Sequence, residues 1–228
     1  MSKKRVKQEL EHDILLETFS RAQNIYDNNK KLVIGTAIAL VLLIGGGLGY
    51  HFYSASQEHK AEQLMGQATE YYLNADYKKA LEGSEEDFTV GFQQIINNYP
   101  RTEAANLARY YSAVSEYNLG NTEKALQYIN EYEIPEGIMG VAPLSFKGIV
   151  LSDMGDYSTA AEAYIQAAQW KENDSTTPYN YLQAAVALHE AGNNQKAQEY
   201  AQKIVDEYPD SPQVAEAQKL LGMLAVVQ

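Results

Sequence analysis

MGDYSTAA, residues 154–161, sets a glycine, an aspartate directly after it and an alanine five positions beyond the glycine within eight residues. Each has a steric meaning. Glycine ends a helix in a left-handed conformation without Cβ strain, Asp or Asn starts the next helix, and alanine lets that helix pack closely. The pattern recurs at LGNTEKAL (119–126) and AGNNQKAQ (191–198), with Gly120, Gly155 and Gly192 separated by 35 and 37 residues. A fourth copy, NADYKKAL (74–81), carries Ala75 where the glycine would stand. Tandem similarity at this period predicts a stack of helical hairpins, each burying its apolar face against its neighbours.

These residues resemble the tetratricopeptide repeat, a helix-turn-helix unit. Around Gly155 the resemblance places the large apolar positions on Leu144 and Leu151, the small ones on Gly148 and Ala167, the second-helix alanine on Ala160 and the aromatic on Tyr164. Lys147 and Glu172 depart from the pattern. The copy at Gly192 keeps Tyr181, Ala185, Leu188, Ala197 and a closing Pro209; that at Gly120 keeps Ala113 and Ala125; that at Ala75 keeps Leu64, Ala68, Tyr71 and Ala80. The implied fold is all-α, an α-solenoid of about four hairpins near 58–100, 104–137, 141–174 and 178–211.

Two stretches break the period. EGSEEDFTVG (82–91) is surplus to the first repeat and reads as an extended loop or a broken second helix, with a tolerated surface insertion as the plainest account. IPEGIMGVAP (134–143), with two Pro and two Gly, predicts a longer connector. After YPDSP (208–212), Ser211 as N-cap and Pro212 at the first helical position predict a helix over 212–226 that caps the stack through Val214, Ala217, Leu220, Leu221 and Leu224.

Upstream of the repeats the chemistry changes. KKLVIGTAIALVLLIGGGLGYHF (30–52) contains an uncharged run from Leu32 to Tyr50, close to the ~20 residues that cross ~30 Å of hydrocarbon as a helix. An export signal, a membrane anchor and a buried core helix all fit a long apolar run. Here some thirty polar residues precede it, Ser54-Ala55-Ser56 is a weak cleavage site, and no polar stripe interrupts it, so the reading favours a transmembrane helix over 32–53. Residues 1–31 carry seven basic and five acidic side chains, whereas residues 51–228 carry eleven basic and twenty-five acidic ones. With Lys30 and Lys31 at its start, the helix should keep its N-terminus cytoplasmic and place residues 54–228 across the inner membrane, in the periplasm or outside the cell. Tyr50, Phe52 and Tyr53 suit the far interface, and Gly45 and Gly49 have the spacing of a membrane-helix contact. In residues 1–31, Leu10, Ile14, Leu15, Leu16, Phe19, Ala22, Ile25 and Tyr26 predict an amphipathic helix ended at Asp27-Asn28-Asn29. It serves either as a docking or membrane-surface element or as a plain continuation into the anchor.

The tetratricopeptide register further implies a concave surface lined by Met65, Tyr72, Tyr110, Val114, Tyr117, Ile149, Tyr179, Leu182 and Val186. None of its positions is Lys or Arg, so the basic clamp by which some members hold a C-terminal carboxylate is missing. A Tyr- and aliphatic-lined groove suits apolar or aromatic segments of a protein, unless another part of the chain covers it. The formal net charge of −12, with scattered cations, argues against nucleic acid. The chain has no cysteine, hence no thiolate site or lipid-modified Cys. His12, His51, His59 and His189 lack metal-ligand spacing, and the glycines at 45–49 lack the lysine of a phosphate loop. Neither enzyme activity, a cofactor nor a small-molecule substrate is expected. Anchor, repeats and the flanking YPRTEAANLA and YPDSPQVAEA resemble the bacterial ancillary subunits of the Sec translocon, which implies translocon components or exported polypeptides as partners. A scaffold binding subunits of an envelope assembly, division or secretion complex is the alternative.

Overall fold

The computed structural model describes the backbone of residues 3–226 and the side chains of residues 16–226, so Leu10, Ile14, Leu15 and His12 lie outside the described side chains. Eleven α-helices are present among the described residues. The chain divides into two units, residues 1–56 and 57–228.

The first unit holds α1 (Lys3–Asn28) and, after one residue, the start of α2 (Lys30–Leu73), whose residues 57–73 belong to the second unit. The Asp27-Asn28-Asn29 segment bends the chain without ending its hydrogen bonding, because Asn29 N–H still donates to Ile25 O and Val33 N–H to Asn29 O. Leu16, Phe19, Ile25 and Tyr26 of α1 are exposed. Along α2 the apolar stretch is long and hydropathic enough to cross a membrane, and none of it is buried. The expected boundary near residue 53 leaves no mark on the helix. SASQEHKAEQ contains no Gly or Pro, so nothing there interrupts the backbone ladder.

In the second unit the expected turns are all present. Gly120, Gly155 and Gly192 have φ of 83°, 78° and 78°, and Ala75 adopts 59°. Each turn closes with the same two bonds: at Gly155, its N–H reaches Ser152 O at 3.0 Å and the following Asp156 N–H reaches Leu151 O at 3.0 Å. This pairing satisfies carbonyls that the helix end would leave open. Asp76, Asp156 and Asn193 then accept a backbone N–H three residues on, capping the next helix. Asn121 instead turns its amide to Glu116. An Ala in the left-handed region costs about 1–2 kcal/mol that Gly does not. Ala75→Gly is therefore expected to raise stability by roughly 0.5–1 kcal/mol after the entropy of Gly is subtracted, and Gly155→Ala to lower it by at least about 1 kcal/mol, read as opposite shifts of the urea midpoint.

The helices pair through these turns: the C-terminal half of α2 with α3 (Tyr77–Glu82) and α4 (Phe92–Asn98), α5 (Glu103–Asn118) with α6 (Thr122–Glu131), α7 (Val141–Asp153) with α8 (Tyr157–Trp170), and α9 (Thr177–Glu190) with α10 (Asn194–Glu207). Ala80, Ala125, Ala160 and Ala197, the shared alanines, are all fully buried. So are Ala68, Ala113, Ala185 and Tyr181. Gly148 has a comparable steric duty, since a Cβ there would stand 2.7 Å from the buried Tyr164 ring.

The surplus segment 82–91 departs from an all-α fold. It splits the second helix of the first pair into α3 and α4 and inserts a two-stranded antiparallel hairpin, β1 (Gly83–Ser84) and β2 (Thr89–Val90), pairing Gly83 with Val90 and Ser84 with Thr89. Its neck is closed backbone to backbone; a Cβ on Gly91 would lie 2.2 Å from Leu81 O. At its tip Asp87 accepts from the hydroxyls of Tyr71 (2.6 Å) and Ser84 (2.8 Å). These bonds hold the Asp87 carboxyl below the usual range.

The 134–143 stretch forms the longer connector expected of it: residues 132–140 separate α6 from α7, against 99–102 between α4 and α5 and 171–176 between α8 and α9. Gly137–Gly140 form one 3-10 turn, and Trp170 Nε1 donates to Pro135 O at 3.1 Å, pinning it. At the C-terminal end, α11 starts at Val214, two residues later than Pro212 predicts. Ser211 Oγ accepts from Gln213 N, which shapes a turn ahead of the helix. Ala217, Leu220 and Leu224 are buried in the core that α11 shares with α9 and α10, and Val214 and Leu221 pack on it.

Candidate partner groove

The first helices of the first three pairs, α2, α5 and α7, contribute to one row of rings. Tyr72 stacks on Tyr111 with centroids 4.7 Å apart and meets Tyr77 and Phe92 edge-on. Tyr111 adjoins Tyr110, which packs against Tyr132 and Phe146; Tyr117 meets Phe146 edge-on at 5.5 Å. Offset and edge-on arrangements of this kind are the favoured ones and fix ring orientation. Tyr72, Tyr110 and Tyr117, three of the expected groove positions, thus fall in one connected row of rings. The row adds Tyr111, Phe146 and Tyr132, which the register did not single out. A signal existed: Tyr111 and Phe146 each lie nine residues before their turn glycine.

The other predicted positions separate into two groups. Tyr179 (40%) and Val186 (39%) are exposed, and Val114 and Ile149 are half-buried. Met65 (7%) and Leu182 (2%) belong to the cores, so the placement of Leu182 as a groove contact is corrected: its side chain is consumed by packing within the helix stack. Gly45 and Gly49 stand open, with nothing within 4 Å of a Cβ built on either.

Below the ring row, the C-terminal half of α2 faces α5 and the segment 132–135 across a concave surface. One cavity of about 590 Å³ is lined by Glu58, Glu62, Met65, Glu103, Leu107, Tyr132, Glu133 and Ile134, among others. A second, of about 630 Å³, continues along α2 past Met65, Thr69, Glu70 and Leu73. Met65 and Leu107 line both. The carboxylate of Glu58 fastens this surface together, accepting from the N–H groups of Glu103 (2.8 Å) and Ala104 (2.9 Å) at the start of α5. An anionic cap on the positive end of a helix is favourable there.

Tyr117 Oη donates to Asp153 Oδ2 at 2.5 Å, and this bond, followed by burial, pushes its pKa up to about 12. Burial, then the neighbouring rings, also raises Tyr72 and Tyr110. A folded pKa above the unfolded value of about 10 means that the stabilising contribution is complete below pH 10 and is lost as pH rises through the folded value. The urea midpoint should accordingly fall between pH 10 and 12. Tyr117→Phe should flatten that fall, which denaturation at pH 9, 10.5 and 11.5 measures.

Residues 179–211 match the family model of the tetratricopeptide repeat. They take in nearly all of α9, the turn at Gly192 and α10. No curated protein matches the chain. The matched repeat is of a kind that mediates protein–protein contacts, consistent with protein partners.

Proposed function

We propose that the protein is a non-enzymatic interaction module held at a membrane. In this reading residues 1–31 are a cytoplasmic leader, 32–53 the transmembrane helix and 54–228 the interaction domain, a tetratricopeptide solenoid with repeats near 58–100, 104–137, 141–174 and 178–211 closed by the helix within 212–226. The concave surface faces the periplasm and holds a protein partner. The likeness in layout to ancillary translocon subunits favours a Sec-associated or chaperone-like adaptor for exported polypeptides.

The observation that carries the membrane assignment is the bare surface of α2. Twelve large apolar or aromatic side chains between Leu32 and Tyr53 are exposed, each worth roughly 1.5–3 kcal/mol when withdrawn from water. A bilayer withdraws them all at once. Because the sequence has no cysteine, single-Cys variants report topology without background. Ser20→Cys should be shielded from an impermeant maleimide in spheroplasts and Ser158→Cys labelled; the reverse pattern rejects the orientation. A photocrosslinker at Tyr179 should capture Sec components or exported chains. One folded, stoichiometric envelope protein in their place would assign the scaffold role instead.

A further inference from the structure

The concave surface between α2 and α5 has a charge as well as a shape. Five carboxylates line its two continuous cavities, Glu58, Glu62, Glu103 and Glu133 in the first and Glu70 in the second, and no Lys or Arg lines either. Arg101 and Arg109 share a neighbouring recess with Glu103 and Glu133, yet none of the five carboxylates forms an ion pair among the described residues. Glu58 is engaged with the α5 amides, whereas Glu62 and Glu70 are exposed. Between the acids lies an apolar floor: Leu107 is exposed, and Leu73 is 76% exposed at the end of α2. Leaving such residues bare while ringing them with unpaired negative charge suits a partner that brings both apolar side chains and cations.

The spacing gives the scale. Glu58, Glu62, Met65, Thr69 and Leu73 recur at three- and four-residue intervals on one face of α2. From Glu58 to Leu73 that face extends about 22 Å at 1.5 Å per residue. A peptide of about seven extended residues covers it, at about 3.3 Å each.

We infer that this groove takes a cationic amphipathic segment of a partner protein, one in which Lys or Arg alternate with apolar side chains. The inference rests on the partner-groove reading above and adds the chemistry of the occupant. Apolar side chains settle on Leu107 and Leu73, above the largely buried Met65, and cations meet Glu62, Glu70 and Glu133. Restricted solvent on a concave wall strengthens each pair relative to a flat surface.

The test uses the full chain in non-ionic detergent and three fluorescein-labelled nonapeptides read by polarisation, with empty micelles as blank: alternating Lys and Leu, alternating Glu and Leu, and alternating Ser and Leu. The Lys peptide should bind at least tenfold tighter than the other two and weaken with salt. Glu62→Gln with Glu70→Gln should cost at least tenfold, and both sites are exposed, so the fold survives the change. Glu162→Gln with Glu199→Gln, an equal charge loss on α8 and α10, should leave affinity unchanged. Equal loss in the two pairs would overturn the inference, since net charge alone would then attract the peptide. Tighter binding of the Ser or Glu peptide, abolished by Leu107→Asp, would overturn the cationic class while keeping the groove. No binding of any peptide that responds to Leu107→Asp would overturn both.

Discussion

Tyr181→Ala is expected to remove about 3–5 kcal/mol of stability, the range for truncating a large buried aromatic side chain. Tyr181 is fully buried and is the largest such side chain among the described residues. Its ring stacks on Tyr200 at 5.4 Å, adjoins Tyr208 at 6.5 Å, and lies 5.3 Å beneath Lys203 Nζ. One truncation therefore empties the seam between α9 and α10 and strips the inner side of the helix on which α11 rests. Tyr179→Ala, two residues earlier and 40% exposed, should cost under about 1 kcal/mol, as surface substitutions do. Urea denaturation followed by helicity checks the contrast: the midpoint should fall steeply for Tyr181→Ala and hardly for Tyr179→Ala. A comparable loss at both positions would mean that the Tyr181 ring is not packed between α9 and α10.

The contrast between these two tyrosines also shows what a sequence can convey. The turns were legible because Gly, Asn/Asp and Ala have local steric meanings that survive without knowledge of the fold. Ala75 obeys the same turn despite its penalty, so the repeat's packing overrides the residue. The six signature positions around Gly155 were legible for the same reason; Leu144, Leu151, Ala160, Tyr164 and Ala167 are all buried, with Gly148 against Tyr164. The hairpin at 83–90 was not legible, because its stability comes from Tyr71 reaching Asp87 across sixteen positions and from two backbones touching at Gly91. Nor was the acidic rim of the groove. Its carboxylates come from three separate segments, and Glu58 joins α5 across forty-five positions. Leu182 misled for a different reason: a register assigns a helix face, but the tightness of α8 against α9 decides whether that face is open.

The larger effect concerns the first unit. Val41→Arg together with Ile44→Arg should abolish membrane retention. Each places a guanidinium near the middle of the uncharged run at a cost of about 2.5–3.5 kcal/mol, so the pair costs roughly 5–7 kcal/mol. Both positions are exposed on α2, and no acid lies between Leu32 and Tyr50 to offset the new charges. The wild-type chain should stay in the membrane pellet after carbonate extraction, and the double variant should move to the supernatant or fail to translocate. The same preparation separates an anchor from a cleaved signal. An anchored chain keeps its full 25.4 kDa, whereas cleavage near Ser54-Ala55-Ser56 would shorten it by about a quarter and leave α2 without its apolar half. That shortened product would still contain Glu58 and the groove it fastens, so partner binding by a soluble, truncated chain would refute the anchor while leaving the groove intact. An intact, carbonate-resistant chain that the two arginines release would tie the groove to the membrane surface.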